Sequence, residues 1–385
     1  MSRTQPPLAG TRILELGVGL ALPFGARILA DLGADVVKVE TPDGDRTRAV
    51  EPNYLTDDGE YRSALFEYLN WNKQSVVLDP AADQSTVAAL VAQADIVMVG
   101  DDVALWAQWG LDPNALRVEH PALVLVSLTP FGTTGPKRDW AANDLILQAA
   151  SGLMSFSGTA DRPPLKRGLR QSTYETGLNA AYTALAGFFA ARRGDGGVFV
   201  DISQAEVISS EIVLQTPEYT YAGAVAARRP GVLDPFGGDP VKIGGGYVTV
   251  QTSTMMTPAD FAKFLDAPAL ADQRFQSSEG RASNANEVVR ALRDALVGVD
   301  PRDFFERSAQ AGLLTGVSQT AAQLLDSAQL TERNVWIDMP GTLGGKLWRM
   351  PFLTASFSAT GAKYRRPAPA LGEDNQAVLT EGAMR

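Results

Sequence analysis

The chain has 385 residues, a net charge of −10 and a sequence pI near 4.8, a balance that disfavours nucleic acid, whose phosphates want a basic footprint. It holds no cysteine and a single histidine, His120, which excludes disulfides, thiolate catalysis, cysteine-ligated zinc and multi-histidine metal sites. The N-terminal MSRTQPPLAG has no apolar signal core, and no run approaches the roughly 18 apolar residues of a membrane span, so a soluble cytoplasmic protein with no membrane partner is expected.

The opening stretch, TRILELGVGLALPFGARILADLGADVVKVE, reads as strand, turn, helix, strand. Ile13 to Leu16 form a short apolar run broken by Gly17 and Gly19, and Pro23 suits a helix start. Phe24, Ile28, Leu29 and Leu32 recur at helical spacing, Gly33 ends the helix, and Val36, Val37 and Val39 lead to Glu40. Residues 51–61 are polar and predict a loop. Strands are expected at 75–79, 96–99, 123–128 and 198–202. Helices are expected at 84–94, with Asp83 as N-cap, at 144–151 and at 176–192. Gly177, Ala180, Ala181, Ala184 and Ala186 suit tight helix packing. Alternating strands and helices predict an α/β fold, a doubly wound parallel sheet. This large domain takes 1–218. The Ala/Gly/Pro-rich 219–240, with Arg228, Arg229 and Pro230, reads as a linker. A smaller inserted α/β domain then takes 241–330, with a strand at 247–251 and helices at 258–265, 285–296, 302–311 and 321–327. Strand character returns from 343 to 357, and 331–385 is expected to rejoin the large domain.

The first unit invites a dinucleotide reading. Gly17 and Gly19 fit the first half of Gly-x-Gly-x-x-Gly, and Glu40 stands near the place of a ribose-binding acid. Leu22 occupies the third glycine position, so the pyrophosphate turn is incomplete.

A broader match covers nearly the whole chain. GARILADLGADVVKVETPDGDRTR with NWNKQSVVLD, SLTPFGTTGP, NDLILQAASGLMSFSG, ARRGDGGVFVDISQAE and the closing MPFLTASFSATGAKYRRPAPALGEDNQAVL occur in this order. Together they closely resemble the family III CoA-transferases of the CaiB/BaiF type. The resemblance implies a two-domain chain, dimers whose chains are linked like rings, and transfer of CoA from an acyl thioester to a free carboxylate. CoA or acyl-CoA would then be a substrate, and no cofactor would be tightly bound. In such enzymes an aspartate carboxylate attacks the thioester, because an ionised carboxylate is nucleophilic at neutral pH and leaves again readily. Backbone N–H groups of a Gly-rich segment stabilise the oxyanion.

Counted back from Gly177, the nucleophile position is Thr173, and no aspartate occurs between Arg162 and Arg193. A threonine without a base would form an ester too stable to pass CoA on. Glu175 is the nearest acid along the chain. It stands as a possible substitute nucleophile or as a simple complement to the helix N-terminus. For CoA, the resemblance implies Val18 and Gly19 in the first turn, Arg46 and Arg48, Asn72 and Lys73 in the Asn-x-Asn-Lys pattern, Lys137, and the glycine loop at Gly237 and Gly238. Several of these have a bland alternative. The arginines could pair with Asp43 or Asp45, Lys73 could be a solvated surface lysine, and the glycines could serve turns alone. Asp102 stands where the family often carries arginine, and Gln108 replaces a later one. At an effective dielectric near 20, a like-charge contact at about 4 Å costs roughly 4 kcal/mol, so Asp101 and Asp102 oppose CoA phosphates, or they cap the helix that carries Trp106 and Trp109. Asn143 stands where related racemases carry histidine, and His120 reads as structural.

Three roles follow. The first is a subunit without its own nucleophile, paired with a family III chain that carries the aspartate, like the degenerate subunit of the two-subunit benzylsuccinate CoA-transferase. The second is an active homodimeric transferase using Glu175. The third is a repurposed relative that is not an enzyme or does not bind CoA.

Overall fold

A computed structural model describes residues 5–228, 234–252, 256–352 and 355–380. Arg229 and Pro230 of the expected linker, and 353–354 of the expected return to strand, lie outside the described residues.

The chain divides into two compact units. The larger runs to Gly158, then Pro164–Ala227, then from Asn334 onward; the smaller comprises Thr159–Pro163 and Arg228–Arg333. The larger unit opens with β1 (Arg12–Leu16), α1 (Ala21–Asp31) and β2 (Asp35–Glu40), followed by the hairpin strands β3 (Asn53–Leu55) and β4 (Tyr61–Ser63). Next come α2 (Ala64–Asn70), β5 (Gln74–Val77), α3 (Gln84–Val91), β6 (Ile96–Gly100), α4 (Ala104–Gln108), α5 (Pro113–Glu119) and β7 (Val124–Thr129). The run ends with α6 (Asp144–Ala150), α7 (Gln171–Arg192), β8 (Phe199–Ser203), α8 (Gln204–Ser209) and α9 (Gln215–Ala222).

Six strands form one parallel sheet in the order β5-β2-β1-β6-β7-β8. The order reverses between β1 and β6, the topological switch point at which doubly wound sheets bind ligands. Alternate side chains along each strand face opposite layers. Ile13, Val36, Ile96 and Val124 pack with α1 and α7, while Leu14, Val37, Val97 and Leu125 pack with α3 and the tryptophans Trp106 and Trp109. Burial on both faces is why these strands read as nearly continuous apolar runs.

α1 and α7 meet through glycine. A Cβ on Gly25 would lie 2.5 Å from the Gly177 carbonyl oxygen, and one on Gly177 would lie 2.4 Å from the Ala21 oxygen. Only two glycines let the helix backbones approach this closely. Buried Ala180, Ala181 and Ala184 continue the contact surface of α7.

Several expectations shift. α1 begins two residues before Pro23, and α7 begins at Gln171 rather than at 176. The polar stretch expected as loop holds the β3–β4 hairpin. Asp83 leaves the α3 N-terminus uncapped, its carboxylate instead accepting from the Asp79 N–H at 2.8 Å. Within the stretch expected as linker, α9 continues to Ala222.

The smaller unit carries an antiparallel sheet in the order β11 (Thr315–Val317), β10 (Gly246–Val250), β9 (Val241–Ile243). Its core gathers Phe236, Val248, Phe261, Leu292 and Phe304. The chain then returns to the larger unit with the hairpin pair Trp336–Asp338 and Arg349–Pro351.

Candidate active site

The C-terminal ends of β1, β6, β7 and β8 open onto a cavity of about 740 Å³, lined by Val18, Leu20, Asp101, Asp102, Pro130 and Gln204 among others. It therefore lies at the sheet's switch point. The start of α7 adds Arg170 and Thr173, and the stretch leading into α6 adds Arg138, Trp140 and Asp144.

The floor of this cavity is set by charges hidden beneath it. Glu15 of β1, Lys38 of β2 and Lys73 are fully buried. Lys38 Nζ donates to Glu15 at 3.0 Å and to the Gly17 carbonyl at 2.7 Å, and it pairs with Asp45 at 2.9 Å. Lys73 Nζ donates to Glu15, the Pro23 carbonyl and Asn70 at 2.7, 2.9 and 2.9 Å. Burial pulls the Lys73 pKa down to about 8, against the attraction of Glu15. Asp45 in turn accepts from the N–H groups of Gly19 and Thr47, which fixes the first turn against the loop that carries Arg46.

Gly19 has φ +88°, and a Cβ there would lie 2.8 Å from the Arg46 guanidinium and 3.0 Å from the Asp101 carboxylate. The missing side chain leaves room for the Arg46–Asp101 ion pair, 2.7 Å apart, to lie over the turn. Burial pushes Asp101 up to about 6, although Arg46 opposes the shift. Asp102 accepts from the Ala104 N–H at 2.8 Å at the start of α4.

At the start of α7 the Thr173 hydroxyl donates to Asp144 Oδ1 at 3.4 Å. Asn143 caps α6 through the Ile146 N–H, which sets Asp144 in its first turn. The other Asp144 oxygen accepts from Gln148 at 2.9 Å and from Lys166 at 3.1 Å. Glu175 is bound elsewhere. It pairs with Arg167 at 2.8 Å, and Arg167 also pairs with Glu211 at 2.6 Å. Burial and then the neighbouring Glu211 raise the Glu175 pKa, while Arg167 opposes them. Glu175 does not line the cavity, as expected of a residue two positions beyond Thr173 on a helix.

Residues 8–375 match the family described as CoA-transferase family III. The chain belongs to that family. It is similar to the succinate–glutarate CoA-transferase of Agrobacterium fabrum, at 30% identity over 99% of this chain and 97% of that protein. It also resembles the acetyl-CoA:oxalate CoA-transferase of Acetobacter aceti, at 28% identity with 100% and 99% covered. Among solved structures, a CaiB/BaiF family protein from Brucella suis superposes with a TM-score of 0.85 at 27% identity, covering 98% of this chain and 99% of that one. In this family CoA and acyl-CoA are substrates rather than resident cofactors.

Within this family III chain the sequence-selected residues separate. Val18, Arg46 and Thr173 line the cavity together, with Gly19 directly beneath the Arg46–Asp101 pair. Arg46 pairs with Asp101, not with Asp43 or Asp45. Arg48 turns away to Glu40 at 2.7 Å, lies over the Phe66 ring and lines a separate cavity of about 340 Å³. Glu40 also accepts from Ser75 and the Asp45 N–H, so this strand-end acid is held in the core rather than offered to a ribose. Lys73 sits in the core instead of at the surface. Asn72 is buried against Asp31 and the Lys363 carbonyl. Lys137 rests over Phe131 and Trp140, beside the lining residue Arg138. Gly237 and Gly238 belong to the smaller unit, where Gly237 bridges to Gln251 and Gly238 has φ +97°. His120 closes the C-terminus of α5. Asp144, Lys166 and Arg170 were not selected from the sequence. Among the described residues, no helix is long and apolar enough to cross a membrane and no acid or histidine cluster is placed to hold a metal.

Proposed function

We propose that this chain is the non-nucleophilic subunit of a CoA-transferase that moves CoA between an acyl-CoA and a carboxylic acid, with a second family III chain supplying the aspartate. The observation that carries this reading is the hydroxyl of Thr173, which lines the cavity where a carboxylate is needed. An oxygen ester there would not exchange with CoA as an anhydride does. The Arg167–Glu175–Glu211 cluster argues against a transferase that uses Glu175. A partner is supported by the exposed apolar row Leu178, Tyr182 and Phe189 along α7, together with exposed Val213 and Leu214.

The test is an acid quench of the purified chain with acetyl-CoA and succinyl-CoA, followed by intact mass. No adduct is expected from this chain alone, and transfer is expected once the aspartate-bearing partner is added. A stable adduct on the isolated chain would sink the subunit reading.

The contact between Thr173 and Asp144 favours one second reading. Asp144 is the carboxylate nearest the nucleophile position, 3.4 Å from the hydroxyl. Its oxygen would attack the thioester carbonyl carbon, the CoA thiolate would leave, and a mixed anhydride would form. The thiolate would then attack the aspartyl carbonyl and release the acid, leaving an aspartyl thioester. In the same experiment this reading requires an adduct that maps to Asp144 and is lost in Asp144→Asn.

A further inference from the structure

We infer that this chain, without a partner, hydrolyses acyl-CoA, with Asp144 as general base for a water molecule. The inference rests on the transferase reading above only in placing an acyl-CoA in this cavity, and it adds a reaction that needs no second chain.

The two oxygens of Asp144 have different surroundings. Oδ2 takes two donors, Gln148 Nε2 at 2.9 Å and Lys166 Nζ at 3.1 Å. Both donors are themselves tied to the backbone of Arg167. The Gln148 amide oxygen accepts from the Arg167 N–H at 2.7 Å, and Lys166 also donates to the Arg167 carbonyl at 2.9 Å. Gln148 is fully buried, and the Asp144 side chain is only 10% exposed. The carboxylate is therefore fixed in direction. Among the described residues, Oδ1 meets only the Thr173 hydroxyl, at 3.4 Å. Bonds from a hydroxyl to a carboxylate are normally about 2.5–3.0 Å long, so this oxygen keeps acceptor capacity. Asp144 and Thr173 both line the cavity.

A base held by its own orienting groups, beside a hydroxyl in a cavity, is the arrangement that activates a small nucleophile. A water seated there donates one hydrogen to Asp144 Oδ1 and the other to the Thr173 oxygen, which has lone pairs to accept it. The water oxygen attacks the thioester carbonyl carbon as its proton passes to Oδ1, and the carbonyl pair moves onto oxygen. The intermediate collapses with cleavage of the C–S bond. The CoA thiolate leaves with the bonding pair and takes the proton back from Asp144. One acyl-CoA and one water thus give the free acid and the CoA thiol, with no bond formed to the protein. The start of α7 lines the same cavity and carries no side-chain cap, so the positive end of this 22-residue helix is available to the oxyanion. An aspartate at position 173 would compete for the carbonyl carbon, whereas threonine leaves it to water.

Acetyl-CoA is the probe. The chain holds no cysteine, so a thiol-reactive dye reads released CoA alone. The full chain is expected to release CoA about 100-fold faster than buffer or better, as general-base catalysis supplies. Asp144→Asn is expected to fall close to the buffer rate while still binding acetyl-CoA in calorimetric titration. In heavy-oxygen water, a single turnover should place the label in the acetate and none in the protein. Acetyl-CoA that binds but is cleaved no faster than in buffer would overturn the inference, leave the transferase reading standing, and need no variant to fold. Label found in Asp144 would make that carboxylate a nucleophile and overturn the inference as well, as would an undiminished rate in Asp144→Asn. Failure of acetyl-CoA to bind would overturn both readings.

Discussion

Thr173→Asp puts a carboxylate back at the start of α7, and its consequences can be worked from the surroundings. The Thr173 hydroxyl lies 3.4 Å from Asp144 Oδ1. Two unit charges at that spacing repel by roughly 5 kcal/mol at an effective dielectric near 20. Lys166 and Gln148 already hold the other Asp144 oxygen and offset part of this, leaving a net penalty of about 2 kcal/mol. Repulsion between two carboxylates this close favours a proton shared by the pair. The variant should therefore lose stability relative to the parent as pH rises through the carboxylate range and recover it as the shared proton returns at lower pH. Chemically, it should gain what the parent lacks. Acid-quenched intact mass after mixing with succinyl-CoA should show an adduct on Thr173→Asp and none on the parent, with the label mapping to residue 173. A folded Thr173→Asp protein that binds acyl-CoA and forms no adduct would refute the claim that the hydroxyl at this position is what withholds chemistry.

Two further outcomes test the scaffold. Gly177→Ala drives a methyl against the Ala21 carbonyl oxygen, 2.4 Å from the ideal Cβ position. Overpacking costs about 3 kcal/mol, of which about 1 kcal/mol returns as helix propensity, so urea unfolding should show a net loss of about 2 kcal/mol; an unchanged or higher midpoint would contradict the close helix crossing. Glu67 is buried, accepting from the Tyr54 hydroxyl at 2.8 Å and the Ala368 N–H at 3.0 Å, and burial pushes its pKa up to about 7. The folded chain therefore keeps this proton to a higher pH than the unfolded chain does, so stability from this group is lost as pH rises from about 4.5 to 7, by roughly 3 kcal/mol in all. Glu67→Gln should flatten that slope and leave the variant more stable than the parent at pH 8 but not at pH 5; equal pH dependence of the two unfolding curves would show that Glu67 does not titrate in this window.

The parallel core was legible because strands buried on both faces carry apolar residues at consecutive positions, as Val36 and Val37 or Ile13 and Leu14 do. The β3–β4 hairpin was also within reach: Asp58-Gly59 is a turn signal between Tyr54 and Tyr61, but the surrounding charges masked it. Lys73 was misplaced for a different reason. Lysine is almost never fully buried unless paired, and nothing local to Asn70–Lys73 announces that Glu15, 58 positions away, awaits it. The acid beside Thr173 is not legible along the chain. Asp144 arrives from another helix, 29 residues earlier. Arg170 carried a faint signal, the basic run of Lys166, Arg167 and Arg170 ahead of α7, but its place on the cavity lining is a property of the fold.

The buried charges give this cavity its form. Glu15 is fully enclosed between two lysines, and a lone carboxylate there would be strongly disfavoured. Lys38 joins it to Asp45, and Asp45 holds both Gly19 and Thr47 through its carboxylate. That chain of contacts sets where Arg46 emerges, and there it meets Asp101 while staying largely exposed. Lys73 therefore bears on the cavity without touching it. It stabilises the acid that positions the lysine that positions the loop. An ammonium at this point in the sequence has a structural reason to exist whether or not a ligand phosphate ever approaches it, and so its presence says nothing about CoA affinity. The charges that line the cavity, Arg46 held by Asp101 and Lys166 held by Asp144, are the ones a ligand there would meet.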